Sequence, residues 1–181
     1  MDYAPTESVL VRRAHEGSGD AIEELFRRHW PRVWKLAYLI TRRRDLADDV
    51  AQDAMIRAFG SLDSFDTTRP FAPWLAAIAM NAVRDQTRRQ ARADAVSLRV
   101  AQYAAAADAS QSRSPRAHDP LFQMVMKLDA SKREIVALHY WLDFSVTEIS
   151  QILELPPGTV ASRISRSLDH LRRQMEASHA F

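Results

Sequence analysis

An asparagine set among arginines is the most informative chemistry in this sequence. Asn81 lies in the segment WLAAIAMNAVRDQTRR, where helical spacing puts it on one stripe with Arg84, Arg88 and Arg92. An amide both donates to and accepts from base edges, whereas arginine binds phosphates. The opposite side is apolar, formed by Leu75, Ile78, Ala79 and Ala82. The segment predicts a helix with one side in a core and the other against nucleic acid; a surface helix with solvated arginines is the alternative.

A second polar helix lies near the C-terminus, in the setting of a helix-turn-helix. Ser145 and Glu148 form an S-x-x-E capping box, and the turn ELPPG follows, with Pro156 at the start of the next helix. That helix has an apolar side formed by Val160, Ile164, Leu168 and Leu171, and a polar side formed by Ser162, Arg163, Arg166 and Arg173. Residues near the start of such a helix reach bases in the major groove, so the pattern predicts DNA binding.

Charge is segregated along the chain although the formal net charge is only +2. The segment from Arg27 to Arg44 holds seven Lys or Arg and no acid, and Asp45 to Asp53 holds four Asp and no base. On a helix, the acidic stripe comprises Asp45, Asp49, Gln52 and Ile56, with Asp48 and Asp53 at its edges; Ala47, Val50, Ala51, Ala54 and Ala58 lie opposite. The basic segment suits phosphates or solvent, and the acidic stripe faces a protein or water.

The sequence also predicts the helices of the N-terminal segment. SVLVRRAHE predicts a first helix that ends at Gly17, and Asp20 with Glu23 predicts a capping box for a second helix. Pro31 predicts a kink or a break within that second helix. The predicted core residues are Leu25, Phe26, Val33, Leu36, Ala37 and Ile40, and we interpret Trp30 and Trp34 as structural.

Composition limits the class of protein. The 181 residues include 46% hydrophobic residues and only 4 Gly, so packed and predominantly helical domains are expected. The absence of Cys excludes disulfides and thiolate metal sites and fits a reducing cytoplasm. With no apolar run of membrane-spanning length and no signal-peptide pattern in MDYAPTESVL, we expect a cytoplasmic protein without membrane insertion. Small polar residues from about Ala93 to Asp119 predict a linker.

Taken together, two long stretches resemble one family, the extracytoplasmic-function (ECF, group four) sigma factors of bacterial RNA polymerase. The run from SVLVRRAHE through FDTTRPFAPWLAAIAMNAVRDQTRR is similar to sigma domain two, and LDASKREIVALHYWLDFSVTEISQILELPPGTVASRISRSLDHLRR is similar to domain four. The resemblance implies an all-α fold of two small helical domains joined by a flexible linker: domain two at 1–92, the linker at 93–118 and domain four at 119–181.

The resemblance also assigns roles to residues. It implies minus-ten recognition by Asn81, Arg84, Arg88 and Arg89, with Arg69, Phe71 and Phe65 in a loop that holds a flipped base. It implies minus-thirty-five recognition by Thr159, Ser162, Arg163, Arg166 and Arg173. It implies that Asp45, Asp48, Asp49, Gln52, Asp53 and Ile56 bind the clamp coiled coil of the largest subunit of core RNA polymerase. Ala161 and Leu168 depart from the family, which often has basic residues there.

Further partners follow from the same resemblance: promoter DNA, the flap of the second-largest polymerase subunit and an anti-sigma factor, with no cofactor and no metal. An enzyme is disfavoured because the six His residues lack metal-site spacing and no phosphate loop or nucleophile motif is present. Two alternatives stay open: a helix-turn-helix transcriptional regulator, which leaves the Asn81 and acidic helices unexplained, and a sigma-mimic interaction protein that does not initiate transcription.

Overall fold

Every element described in the structure is helical. The computed structural model describes residues 5–101 and 120–179, with side chains described for 5–93 and 121–176. The helices are α1 (Glu7–His15), α2 (Gly19–Thr41), α3 (Arg44–Gly60), α4 (Phe71–Ala101), α5 (Pro120–Lys127), α6 (Ala130–Val136), α7 (Val146–Leu153) and α8 (Pro157–His179). A 3-10 turn, Leu62–Ser64, follows α3, and a π-helical turn, Ala137–Trp141, extends α6. The predicted all-α fold is confirmed.

The N-terminal domain is a bundle in which α2 packs against α3 and α4, and α1 packs against α2. The inward side of α3 is built from small residues, since Ala47, Ala51, Ala54 and Ala58 are all 0% exposed. Small side chains let neighbouring helices approach closely. The larger residues of the core, including Leu25, Leu36, Met55, Leu75 and Met80, come from α2, α3 and α4. This packing fixes the outward sides of α3 and α4, which carry the predicted polymerase and DNA residues.

Three predictions for α2 meet different outcomes. The Asp20 capping box is wrong: Ser18 is the N-cap residue and makes no side-chain cap hydrogen bond, and Asp20 lies inside the first turn. A carboxylate in that turn still interacts favourably with the helix dipole. Pro31 does not break the helix, because α2 runs without interruption from Gly19 to Thr41, and the alternative of a kink at Pro31 stays a prediction. Phe26 is 41% exposed and stacks on Trp30 and Phe59, so its assignment to the core is wrong.

The C-terminal domain contains the predicted helix-turn-helix. The capping box of α7 is confirmed: Ser145 Oγ accepts from the Glu148 N–H at 3.2 Å, and Glu148 Oε2 accepts from the Ser145 N–H at 2.8 Å. The helix ends at Leu153, and the C-cap residue Glu154 has a left-handed conformation with φ 56°. α8 begins at Pro157, one residue later than the Pro156 start predicted from the sequence.

The two domains pack directly on each other. Phe144 and Leu142, which precede α7, are buried beside Leu36 of α2 and Ala72 of α4. The guanidinium of Arg32 lies 5.8 Å from the Phe144 ring centroid and donates to the Leu142 carbonyl. Residues of both domains therefore belong to one hydrophobic core.

A buried arginine adds polar contacts to this interface. Arg133 of α6 is 6% exposed and donates to the carbonyls of Leu128, at 2.7 Å, and Ile40 of α2, at 3.1 Å. Burial lowers the pKa of Arg133, and Arg42 lowers it further.

The helix that carries Asn81 is longer than predicted. α4 continues beyond residue 92 to Ala101, so the first residues of the predicted linker are helical. The remainder of that linker, 102–118, lies outside the described residues. Within the described residues, no helix combines the length and the apolarity needed to cross a membrane.

Candidate nucleic-acid and polymerase interfaces

Asn81 lies on the exposed side of α4, as its spacing predicts. The helix is held from behind by Leu75, Ala79 and Ala82, which are buried against the domain core. The Asn81 side chain is exposed, and its Oδ1 accepts a long hydrogen bond, 3.4 Å, from Nη1 of Arg84. This weak contact leaves the amide nitrogen of Asn81 open to solvent, so the side chain retains the donor and acceptor that base recognition requires.

The arginines of α4 surround this amide. Arg88, Arg89 and Arg92 are exposed, whereas Arg84 is half-buried. Arg69, in the loop before α4, is also exposed. The α4 arginines put positive charge on the side of the helix that carries Asn81, an arrangement suited to a polyanion.

Two aromatic residues of the predicted base-binding loop are buried in the structure. Phe65 is 5% exposed and Phe71 is 2% exposed, and their rings pack edge to face with centroids 5.6 Å apart. Phe65 also packs on Trp74, with centroids 4.6 Å apart. Both rings are therefore nearly fully buried in this conformation, and their contact with a flipped base stays a prediction. The two buried rings anchor the two ends of the loop that precedes α4.

The acidic side of α3 is exposed along its length. Asp45, Asp48, Asp49, Gln52 and Ile56 are exposed, Ile56 at 65%, and Asp53 is half-buried. Asp45 pairs with Arg43, which lowers the pKa of the Asp45 carboxyl, and Asp48 accepts from the indole N–H of Trp34. Ile56 adds one exposed apolar side chain to this acidic surface. The predicted division of α3 into an exposed acidic side and a buried apolar side is confirmed.

Sequence reasoning missed one residue between the two surfaces. Arg57 of α3 forms ion pairs with Asp53 on its own helix and with Asp85 on α4. Hydrogen bonds to both carboxylates raise the pKa of Arg57, Asp85 contributing most. The Asp53–Arg57 spacing of four residues signals a helical ion pair. The contact with Asp85 joins two helices, and sequence spacing cannot reveal it.

The second predicted DNA-binding helix, α8, also exposes its polar side. Ser162, Arg166 and Arg173 are exposed, and Arg163 and Thr159 are half-buried. Arg166 folds back along the helix and donates to the Ser162 carbonyl at 3.1 Å and to its Oγ at 3.2 Å. The buried residues Val160, Ile164 and Leu171 hold α8 against the domain core.

Both helices that are predicted to bind DNA lie near one partly buried carboxylate. Burial raises the pKa of Glu134 in α6, while the positive charges of Arg84, Arg133 and Arg163 act to lower it. Arg84 belongs to α4 and Arg163 to α8. In this closed arrangement the two predicted reading helices are therefore close enough to influence the same acid.

Comparison with known proteins identifies the family. Two family profiles match the chain, Sigma-70 region 2 over residues 25–93 and Sigma-70, region 4 over residues 118–171. The chain is 30% identical over 176 residues to the ECF RNA polymerase sigma factor SigW of Bacillus subtilis (strain 168), across 91% of this chain and 94% of SigW. The chain belongs to the ECF RNA polymerase sigma factors. This ECF sigma factor is also 32% identical over 162 residues to the RNA polymerase sigma factor CarQ of Myxococcus xanthus, across 90% of this chain and 93% of CarQ.

Solved structures of similar proteins agree with the fold. CnrH, determined in complex with the cytosolic domain of CnrY, is similar with a TM-score of 0.70 and 29% identity, across 94% of this chain and 97% of CnrH. The sigma factor RpoE from Bartonella quintana, solved with the anti-sigma factor NepR, has the same fold with a TM-score of 0.68 and 23% identity, across 85% of this chain and 96% of that chain.

Each of the two family matches contains a different part of the predicted sites of this ECF sigma factor. The region 2 match contains Asn81 and the acidic side of α3, and the region 4 match contains the start of α8. Arg173, the last predicted DNA contact, lies just beyond the region 4 match. Among the described residues there is no cluster of three His, Cys, Asp or Glu side chains that could hold a metal ion.

Proposed function

We propose that this protein binds core RNA polymerase and directs initiation at promoters that carry two recognition elements. The observation that carries the proposal is that two separate exposed surfaces with arginines, one on α4 and one on α8, share a chain with an exposed acidic helix side. A regulator that used only the helix-turn-helix would leave the surfaces of α3 and α4 without a partner. The chain itself performs no bond chemistry in this proposal; it positions the polymerase.

In the minus-ten element, Asn81 reads base edges and the arginines bind phosphates. The proposed contacts are Asn81, Arg84, Arg88, Arg89 and Arg69. Asn81 alone among them has both a donor and an acceptor, so it supplies sequence preference, and the guanidinium groups supply affinity and salt dependence. Phe65 and Phe71 support this surface from within the core.

In the minus-thirty-five element, α8 enters the major groove through the residues near its N-terminus. Its proposed contacts are Thr159, Ser162, Arg163, Arg166 and Arg173. Arg166 must leave its contacts with Ser162 to reach a base, and those contacts are solvent-exposed and therefore inexpensive to exchange. A bidentate contact from Arg166 to a guanine would provide about 1–3 kcal/mol of discrimination.

The acidic side of α3 is the proposed docking surface for the basic clamp coiled coil of core polymerase. It comprises Asp45, Asp48, Asp49, Gln52, Asp53 and Ile56. Complementary charge accelerates and orients such an encounter, and Ile56 supplies apolar contact area. An anti-sigma factor is a further proposed partner, because CnrH and the Bartonella RpoE were both solved with a bound protein, RpoE with an anti-sigma factor.

The test is transcription of genomic DNA by core polymerase with and without this protein, followed by sequencing of the transcript ends. We expect defined start sites that depend on the protein and share two upstream motifs. DNA binding without any start site that depends on the protein would instead support the regulator. Binding to an anti-sigma factor without binding to core polymerase would support the sigma mimic.

A further inference from the structure

An acidic residue lies in the middle of the DNA-binding side of α4. Asp85 is four residues after Asn81 and precedes Arg88 and Arg89 by three and four residues, so all four share one side of the helix. A carboxylate at this position would repel phosphates. It would also attract the two neighbouring arginines away from DNA, because charges three and four residues apart on a helix are adjacent.

Arg57 of α3 supplies the counter-charge from a different helix. Its Nη1 donates to Asp85 Oδ2 at 3.0 Å. Its Nε donates to Asp53 Oδ1 at 2.9 Å, and its Nη2 lies 2.7 Å from Asp53 Oδ2. The guanidinium thus holds Asp53 with one edge and Asp85 with its remaining nitrogen, a geometry that a lysine ammonium does not reproduce.

Of the nearby residues Arg57, Arg88 and Arg89, it is Arg57 that forms an ion pair with Asp85. Within the described residues, the ion pair of Asp85 is with Arg57, while Arg88 and Arg89 contribute to the Asp85 carboxyl only through longer-range charge. The hydrogen bond from Arg57 is the main cause that lowers the pKa of Asp85, so this carboxyl is ionised at neutral pH. Arg88 and Arg89 are exposed.

We propose that Arg57 is a positioning residue for DNA binding: it neutralises Asp85 on the DNA-binding side of α4 and so keeps Arg88 and Arg89 available for phosphates. Asp53 holds the guanidinium in place from its other edge. The inference rests on the proposed function, because it assigns the side of α4 that carries Asn81 to promoter DNA. Without Arg57, the uncovered Asp85 carboxylate would repel the backbone and compete with it for both arginines.

The test uses holoenzyme assembled with saturating core polymerase, so that differences in core affinity do not affect the result. Binding to a fluorescent promoter fragment is measured for wild type, Arg57→Met, Asp85→Asn and the double variant. Arg13→Met is the matched control, because Arg13 is an exposed arginine on α1, outside both surfaces. Circular dichroism checks folding, which we expect to be preserved because exposed ion pairs contribute little to stability.

We expect Arg57→Met to weaken promoter binding by about fivefold to tenfold, a size typical of one uncompensated charge near phosphates. The double variant should return to the wild-type level, because it has no charge left to neutralise. Asp85→Asn alone and Arg13→Met should bind like wild type. Added salt should shrink the defect of Arg57→Met relative to wild type, because screening weakens an electrostatic effect.

Provided that the wild-type holoenzyme still initiates transcription, two results would overturn the inference. If the double variant remains as defective as Arg57→Met, Arg57 acts through structure and not through the charge of Asp85. If Asp85→Asn alone weakens binding, Asp85 contacts DNA itself.

If Arg57→Met fails to fold, the promoter binding of Asp85→Asn and Arg57→Lys tests the inference instead, and we expect the affinity of Arg57→Lys to lie between those of wild type and an uncompensated variant. Failure of the wild-type holoenzyme to bind promoters would count against the proposed function instead.

Discussion

At the scale of single residues, the account depends on what one amide can do that several guanidinium groups cannot. Asn81 is exposed, and the Arg84 contact to its Oδ1 is long, at 3.4 Å. Arginine side chains carry only donors, whereas the amide offers a donor and an acceptor side by side. Sequence preference and overall affinity should therefore be separable by substitution on one helix.

We expect Asn81→Ala to relax base preference at one or two adjacent promoter positions, at about 1–3 kcal/mol of lost discrimination. Arg88→Ala should weaken binding to all promoters similarly and lower the slope of log affinity against log salt by about one. The measurement is holoenzyme binding to a set of minus-ten variants at several salt concentrations. Lost thermal stability of Asn81→Ala with unchanged base preference would show that Asn81 is a structural residue.

Residue types alone did not predict which aromatic rings are exposed. Phe26 was predicted in the core and is 41% exposed, whereas Phe65 and Phe71 were predicted at a DNA surface and are nearly fully buried. An aromatic ring is suited both to packing and to stacking on a base. The neighbours that decide between these roles, such as Trp74 beside Phe65, come together only in the fold.

At the scale of helices, periodicity predicted the outward sides of α3, α4 and α8, because each helix has one wide apolar side that the core must cover. For α3, the structure also improves the design of the test. Asp53 is engaged with Arg57, so reversing its charge would disturb the DNA-binding helix as well. Asp49 is exposed and takes part in none of the ion pairs found among the described residues.

We therefore expect Asp49→Arg to weaken association with core polymerase by about tenfold or more, because like charges across an interface cost several kcal/mol. The fold should be unaffected, since no buried group loses a partner. The control is Glu16→Arg, an equal change of charge at the exposed end of α1. Undiminished capture of core enzyme by Asp49→Arg would show that this side of α3 faces another partner.

The capping box of α7 gives a prediction for the stability of the helix-turn-helix. Ser145→Ala removes the acceptor for the Glu148 N–H and should lower the free energy of unfolding by about 1 kcal/mol. Thr147→Ala, an exposed substitution in the same first turn, is the control. Urea unfolding of both variants measures the difference. Equal midpoints for the two variants would mean that the cap does not stabilise the domain.

At the scale of the whole molecule, the two domains form a closed arrangement that the sequence does not reveal. The contacts of Phe144 with Arg32 and of Arg133 with the Ile40 carbonyl join residues more than ninety positions apart. Local signals such as caps, turns and helical periodicity predicted the elements and the two domains. Long-range contacts, including the Arg57–Asp85 pair between helices, depend on how finished helices pack, and no pattern in the sequence specifies that.

The closed arrangement cannot read two promoter elements about two helical turns, or about 70 Å, apart, so the domains should separate on the promoter. Because the chain has no natural Cys, dyes can be attached at Glu16→Cys and Glu176→Cys, exposed positions in the two domains. Energy transfer between the dyes should be high in the free protein and fall in the promoter complex. A dye pair at Glu16→Cys and Asp63→Cys, both in the N-terminal domain, should not change. Unchanged transfer between the domains in a complex that initiates transcription would contradict the separation.

The central claim is that one chain reads two separate promoter elements with two different helices while it holds core polymerase. The most direct test is transcription of a randomised promoter library by core polymerase with wild type, Asn81→Ala or Arg166→Ala, with start sites mapped by sequencing. The account predicts two enriched motifs at fixed spacing for wild type, with Asn81→Ala altering only the motif nearer the start site and Arg166→Ala altering only the farther one. A single motif, or a variant that alters both motifs equally, would contradict it.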